Sequence, residues 1–210
     1  MHYYNLKTLI TIFIIMLEIE SLGTTGDAQY HPLFNGRDLA GWTTTGNWTV
    51  ESGGILTIKP RPGEKGWQRY ADYLWTDKVY DNFTLELEYK IPKDGNSGIF
   101  FGVKNKNNPV YDGFEIQILD SHNKTETLTA HDCGGLIGIQ APKKNAAKPF
   151  GQWNRMTIVC QGNHLRVKLN GEQILDLDVS TKIARDKPLA GYIGLQDHGL
   201  PLEFRNIRIK

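Results

Sequence analysis

Phe83-Thr84-Leu85-Glu86-Leu87-Glu88-Tyr89-Lys90-Ile91 alternates apolar and polar side chains without a break. Successive side chains of a strand point to opposite faces, so this stretch has one buried face and one wet face. A helix would need its apolar residues three and four apart, and they are two apart. The same period recurs on both sides. Upstream, Trp48 and Val50 open a strand, Ser52-Gly53-Gly54 turns it, and Ile55 to Ile58 returns. Downstream, Ile99, Phe101 and Val103 point one way and Gly98, Phe100 and Gly102 the other. Phe114, Ile116 and Ile118 alternate with Glu115 and Gln117. Met156, Ile158 and Cys160 begin another strand. Leu165, Val167 and Leu169 then lead into Asn170-Gly171, a hairpin signal, with Ile174 and Leu177 on the return. Ile193 and Leu195 make a further strand, and Phe204, Ile207 and Ile209 close the chain. Ten or more such strands, joined by hairpins and long returns, predict an all-β, two-sheet antiparallel jelly-roll sandwich. The final strand is expected to pair with one near the start. Helical turns are expected only around residue 130 and over 180–184.

The chain has 210 residues, 40% apolar and 10% aromatic, which is enough for a sizeable core and argues against disorder. All-β sandwiches reach this length as one unit, so residues 29–210 are expected to form a single domain. The net charge of +1 and the scattered basic residues, of which Lys143-Lys144 is a lone pair, give no field for nucleic acid. Residues 1–28 read as a signal peptide. Lys7 precedes the short apolar run Leu9-Ile10-Thr11-Ile12-Phe13-Ile14-Ile15-Met16-Leu17. That run is far short of the about 20 residues a spanning helix needs, so the expected product is secreted or periplasmic, with no integral membrane span after processing. Such a compartment permits a Cys133–Cys160 disulfide, but Cys160 shares strand parity with Met156 and Ile158, which favours a buried thiol.

Four clusters are candidates for chemistry. In Gly113-Phe114-Glu115-Ile116-Gln117-Ile118-Leu119-Asp120, Glu115 and Gln117 face away from the core, and a bulge at Leu119 would bring Asp120 onto the same face. An ordinary solvated strand face has the same spacing. Gln196-Asp197-His198-Gly199 follows an apolar strand and places Gln196 and His198 together, with a histidine able to serve as acid or base. Asn96-Ser97-Gly98 removes a side chain where something approaches closely, unless it is a plain turn. Arg205, in Phe204-Arg205-Asn206-Ile207, suits a substrate oxygen or a structural acid. Trp42, Trp67, Tyr70, Tyr73, Trp75, Tyr111 and Trp153 stand outside the alternating pattern, and one or two of them are expected to stack on a sugar ring. G-x-S-x-G, H-E-x-x-H, the P-loop and the dinucleotide fingerprint are all missing.

Taken in order, these segments resemble the 3-keto-disaccharide hydrolase domain family. The resemblance is carried by Leu33-Phe34-Asn35-Gly36-Arg37-Asp38-Leu39-Ala40-Gly41-Trp42, Asn96-Ser97-Gly98-Ile99-Phe100-Phe101, the Glu115 strand, Trp153-Asn154, Asn170-Gly171, Gly194-Leu195-Gln196-Asp197-His198-Gly199 and Phe204-Arg205-Asn206-Ile207-Arg208-Ile209. It implies a concanavalin-A-like fold, shared with lectins and glucanases, and action on glycosides already oxidised at C3. In such a sugar the ketone acidifies the hydrogen on C2. A base can remove it, the charge spreads onto the ketone oxygen, and the C1 substituent leaves by elimination, with water adding back to C1. The implied roles are His198 as base, with Glu115 or Asp120 next, and Gln117, Gln196 and Arg205 on hydroxyls or the enolate. Asn96, Ser97, Tyr111 and Trp67 complete the expected substrate contacts. A divalent ion held by Glu115, Asp120 and His198 would stabilise an ene-diolate.

Two other readings stand beside it. Glu115-x-Gln117-x-x-Asp120 resembles the catalytic strand of laminarinase-like glucanases, which hydrolyse with paired carboxyls. A glycan-binding module would use the same face without turnover. Cys133-Gly134-Gly135-Leu136-Ile137-Gly138 departs from the family, where an aromatic residue often stands beside the second glycine.

Overall fold

The computed structural model describes residues 29–182 and 189–210, and the expected signal peptide lies outside them. Strands run in the order β1 (His31–Pro32), β2 (Trp42–Thr43), β3 (Trp48–Glu51), β4 (Ile55–Ile58), β5 (Leu74–Tyr80), β6 (Thr84–Lys90), β7 (Asn96–Val103), β8 (Phe114–Leu119), β9 (Asn154–Gln161), β10 (His164–Leu169), β11 (Glu172–Asp178), β12 (Gly191–Leu195) and β13 (Glu203–Ile209). One short helix, α1 (Pro109–Asp112), precedes β8.

Two antiparallel sheets result. The larger has the order β11-β10-β9-β6-β13-β4-β3, with β1 on β13, and the smaller has β2-β5-β12-β7-β8. The C-terminal strand therefore pairs with early strands, β1 and β4. The core lies between the sheets. Leu85, Leu87, Met156, Ile158 and Phe204 of the large sheet and Ile99, Phe101, Ile116 and Ile118 of the small one are buried there. Each such side chain contributes about 1.5–3 kcal/mol of transfer free energy. The β10–β11 hairpin turns at Asn170 and Gly171, both at positive φ, as a two-residue turn matched to strand twist requires.

Several expectations need correction. β5 was not legible, because a register shift against β12 interrupts its alternation. Val103 does not share a face with Ile99 and Phe101. Gly102 adopts a positive φ, and Val103 joins Phe100, Tyr73 and Trp75 in a second apolar cluster. Trp42, Tyr73 and Trp75 are buried rather than available to a ligand. The segment around residue 130 forms turns and no helix. A 3-10 turn does form at Val179–Thr181, while residues 183 and 184 lie outside the described residues. The buried thiol that the parity of Cys160 favours is found: Cys133 and Cys160 are both free and buried, and no disulfide joins them. Cys133 Sγ instead lies 3.0 Å from Tyr89 Oη. No helix among the described residues is long and apolar enough to cross a membrane.

Candidate active site

The outer face of the small sheet carries a cavity of about 280 Å³. Its floor comes from β7 and β8. The two strands pair regularly from Asn96 opposite Leu119 to Phe101 opposite Phe114. That register aligns Asn96 and Gly98 with Gln117 and Glu115 on the outer face, because Ile99, Phe101, Ile116 and Ile118 take the inner one. Gly98 is required at this point, since a Cβ there would sit 2.1 Å from Glu115 Oε1. The absent side chain is the slot into which the Glu115 carboxyl folds.

The walls come from loops. The segment after β8 returns along its free edge: Gly134 N–H donates to the Gln117 carbonyl, Gln117 N–H to Gly135, and Ile137 N–H to Glu115. Gly134 and Gly135 permit that approach, because Cβ atoms there would lie 2.1 Å from Ile174 and 2.4 Å from the Ala130 carbonyl. The loop thus brings His131 and Ile137 to the cavity. On the other side Trp67, 42% exposed, and Val110 of α1 form an apolar rim. Gln196 and His198 close the site from the loop after β12.

That last loop is held by ions. Asp197 is 0% exposed, and Arg69 reaches both of its oxygens at 3.3 and 3.4 Å while also pairing with Asp72 and Glu64. Gly199 N–H donates to the Asp197 carboxylate, and Gly66 N–H to the His198 carbonyl. Arg69 therefore ties the Trp67 segment to the His198 segment.

Glu115 is the one carboxyl among the described lining residues. Burial pushes its pKa up to about 8, against a hydrogen bond from Gln196 that lowers it. Glu115 thus holds a proton at neutral pH. Burial also lowers the pKa of His198 below the ordinary 6.5, which keeps its imidazole neutral. Gln117 is 6% exposed, yet its side-chain amide makes no hydrogen bond among the described residues and is not shut from solvent, so it presents a donor and an acceptor to the cavity.

The structure thus brings together Glu115, Gln117, Asn96, Trp67, Gln196 and His198, and it separates the rest. The expected bulge at Leu119 is absent. Asp120 stays out of phase, faces a neighbouring pocket, accepts from Asp94 N–H and lies 3.1 Å from His122 Nδ1. The divalent-ion ligand set of Glu115, Asp120 and His198 is therefore not assembled, and no other His/Cys/Asp/Glu group among the described residues supplies one. Arg205 belongs to the large sheet, where its Nε donates to Glu88 at 2.6 Å and its guanidinium covers Trp153 at 3.9 Å. Ser97 points inward, donating its hydroxyl to the Gln196 carbonyl. Tyr111 is 63% exposed and outside the cavity, though its neighbour Val110 lines it. Sequence reasoning missed His131, Val110 and Ile137. The glycine pair at 134 and 135 was the signal for His131 and Ile137, since consecutive glycines mark close backbone approach; Val110, on α1, had none.

A family model described as the 3-keto-alpha-glucoside-1,2-lyase-like domain matches residues 29–210. The chain belongs to this family. A relative named 3-keto-disaccharide hydrolase, from Bacteroides thetaiotaomicron, is 30% identical, over 92% of this chain and 82% of its own. A solved structure of a putative glycosyl hydrolase from Parabacteroides distasonis superposes with a TM-score of 0.72 at 28% identity, covering 87% of this chain and 98% of that one. A Bacillus licheniformis β-glucanase shares the fold, with a TM-score of 0.51 at 16% identity, covering 89% and 99%. The jelly-roll sandwich is thus that of the family, and the chain is a 3-keto-disaccharide hydrolase-like, carbohydrate-active protein.

Proposed function

We propose that this chain cleaves glycosides bearing a ketone at C3, by removing the C2 proton and eliminating the C1 substituent. The observation that carries this is one cavity holding a single carboxyl, Glu115, together with the His198 imidazole, each pushed toward its uncharged form. Environments that divide two titratable groups in this way assign them as acid and base. His198 takes the C2 proton, and the electrons of that C–H bond move into the C2–C3 enolate. The amides of Gln117 and Asn96 donate to the ketone oxygen as charge develops there. The electrons return, C1–C2 becomes a double bond, and the C1–O bond breaks. Glu115 gives its proton to the departing oxygen. Water then adds at C1, returning a proton at C2 from His198 and giving one up to Glu115, so that the net change is hydrolysis.

The paired-carboxyl reading loses its second carboxyl with Asp120. The cavity is at the lower end of ligand sites, ~300–1,000 Å³, and suits one hexose-sized ring with its aglycone at the Trp67 rim. Export through the segment over residues 1–28 would place the protein with extracellular glycosides.

Incubation with a 3-keto-glycoside and with its unoxidised parent, followed by chromatography, tests the proposal. Release of the aglycone from the keto sugar alone is expected. Release from both would point to a conventional hydrolase, and binding without release to a glycan-binding module.

A further inference from the structure

Gln196 lines the cavity, yet its side-chain amide is turned to the protein. It is 4% exposed, and its Oε1 is shut away with no partner. Its Nε2 donates to Glu115 Oε1 at 3.0 Å. Its backbone is equally committed: Gln196 N–H donates to the Gly98 carbonyl, and Ser97 Oγ to the Gln196 carbonyl. The side chain thus hangs from a backbone fixed on both sides and points its amide N–H at Glu115, with its acceptor oxygen buried.

The two oxygens of Glu115 are consequently unlike. Oε1 lies in the slot above Gly98 and accepts from Gln196. Oε2 has no hydrogen-bond partner among the described residues, yet it is not among the buried atoms cut off from solvent. It is the oxygen that reaches the cavity. A carboxyl oxygen already accepting an N–H bond is the poorer seat for a proton, because the two hydrogens would face each other.

We propose that Gln196 is a positioning residue whose clamped amide holds Glu115 Oε1 as an acceptor, so that the carboxyl proton sits on Oε2, facing the substrate. The proposal rests on Glu115 being the acid of the reaction above. Other groups stand near Glu115 as well: Tyr70 and Tyr73, which couple to it electrostatically, His131 and His198, which line the same cavity, and the Arg69–Asp197 pair, whose Asp197 is next to His198 in the chain. Burial and the Gln196 hydrogen bond are the two causes that shift Glu115, the first upward and the second downward.

The test is infrared difference spectroscopy of the full chain, with the Glu115 band identified as the one that Glu115→Gln abolishes. Wild type should show one narrow carboxylic C=O band, titrating near 8. Two bands would mean a proton distributed over both oxygens and would overturn the proposal without any variant at Gln196. Gln196→Met keeps the volume and removes the donor. Its band should titrate at higher pH than wild type, and the alkaline limb of kcat/KM should move with it. kcat should fall about tenfold with KM little changed. A midpoint that moves down would show the amide accepting from Glu115, and an unmoved midpoint would show no coupling; either overturns the proposal. Failure of wild type to act on the keto-glycoside would sink the function proposed above, while the infrared titration would still decide the role of Gln196.

Discussion

Glu115→Gln and His198→Ala should each lower kcat/KM on a 3-keto-glycoside by about 10²–10⁴-fold, the range for losing a positioned acid or base. Both side chains lie on one cavity, and neither is required by the core. Wild-type kcat/KM should follow a bell. The acid limb is protonation of His198, below its ordinary 6.5, and the alkaline limb is ionisation of Glu115 near 8. Glu115→Gln should abolish the alkaline limb in whatever activity remains. The same substitution has a signature in stability. Glu115 has its pKa raised by folding from 4.5 to about 8, so across that window the folded protein keeps a proton the unfolded chain has lost. The stability this contributes is complete below 4.5 and is lost as pH rises through about 8. Denaturant titrations should therefore show wild type losing stability relative to Glu115→Gln across the window, by a few kcal/mol in order of magnitude.

Arg69→Met should destabilise the fold by about 3–5 kcal/mol, the cost of leaving a buried charge without its partner. Asp197 is completely buried, and Gly199 N–H alone would remain on its carboxylate. Burial already raises the Asp197 pKa against the pull of Arg69, so the variant should recover stability in acid as Asp197 takes up a proton. Urea midpoints at acid and neutral pH measure this. Equal losses at both would show that packing of the Arg69 stem, and not its charge, holds the loop. Because the Arg69–Asp197 pair anchors the loop bearing His198, turnover should fall along with stability.

The strands were legible wherever apolar and polar side chains alternate, as in β6, β8 and β9. β5 was not, because its register shift hides the period. Parity placed Glu115 and Gln117 on one face, since strand geometry alone decides that. It could not place Asp120 without assuming a bulge, and the regular β7–β8 register removes that assumption. Nor does parity say which sheet a face belongs to. Arg205 satisfies the same local pattern as a site residue, yet β13 lies in the other sheet and spends it on Glu88 and Trp153. His131 reaches the cavity only because a loop pairs with the β8 edge, a long-range event with no local period.

The central claim is that the glycosidic bond breaks through a carbanion at C2. Turnover of a 3-keto-glycoside in D2O, with the sugar product examined by NMR, tests it most directly. Deuterium at C2 is predicted, with both incorporation and release suppressed in His198→Ala. Aglycone release with the original hydrogen retained at C2 would contradict the account.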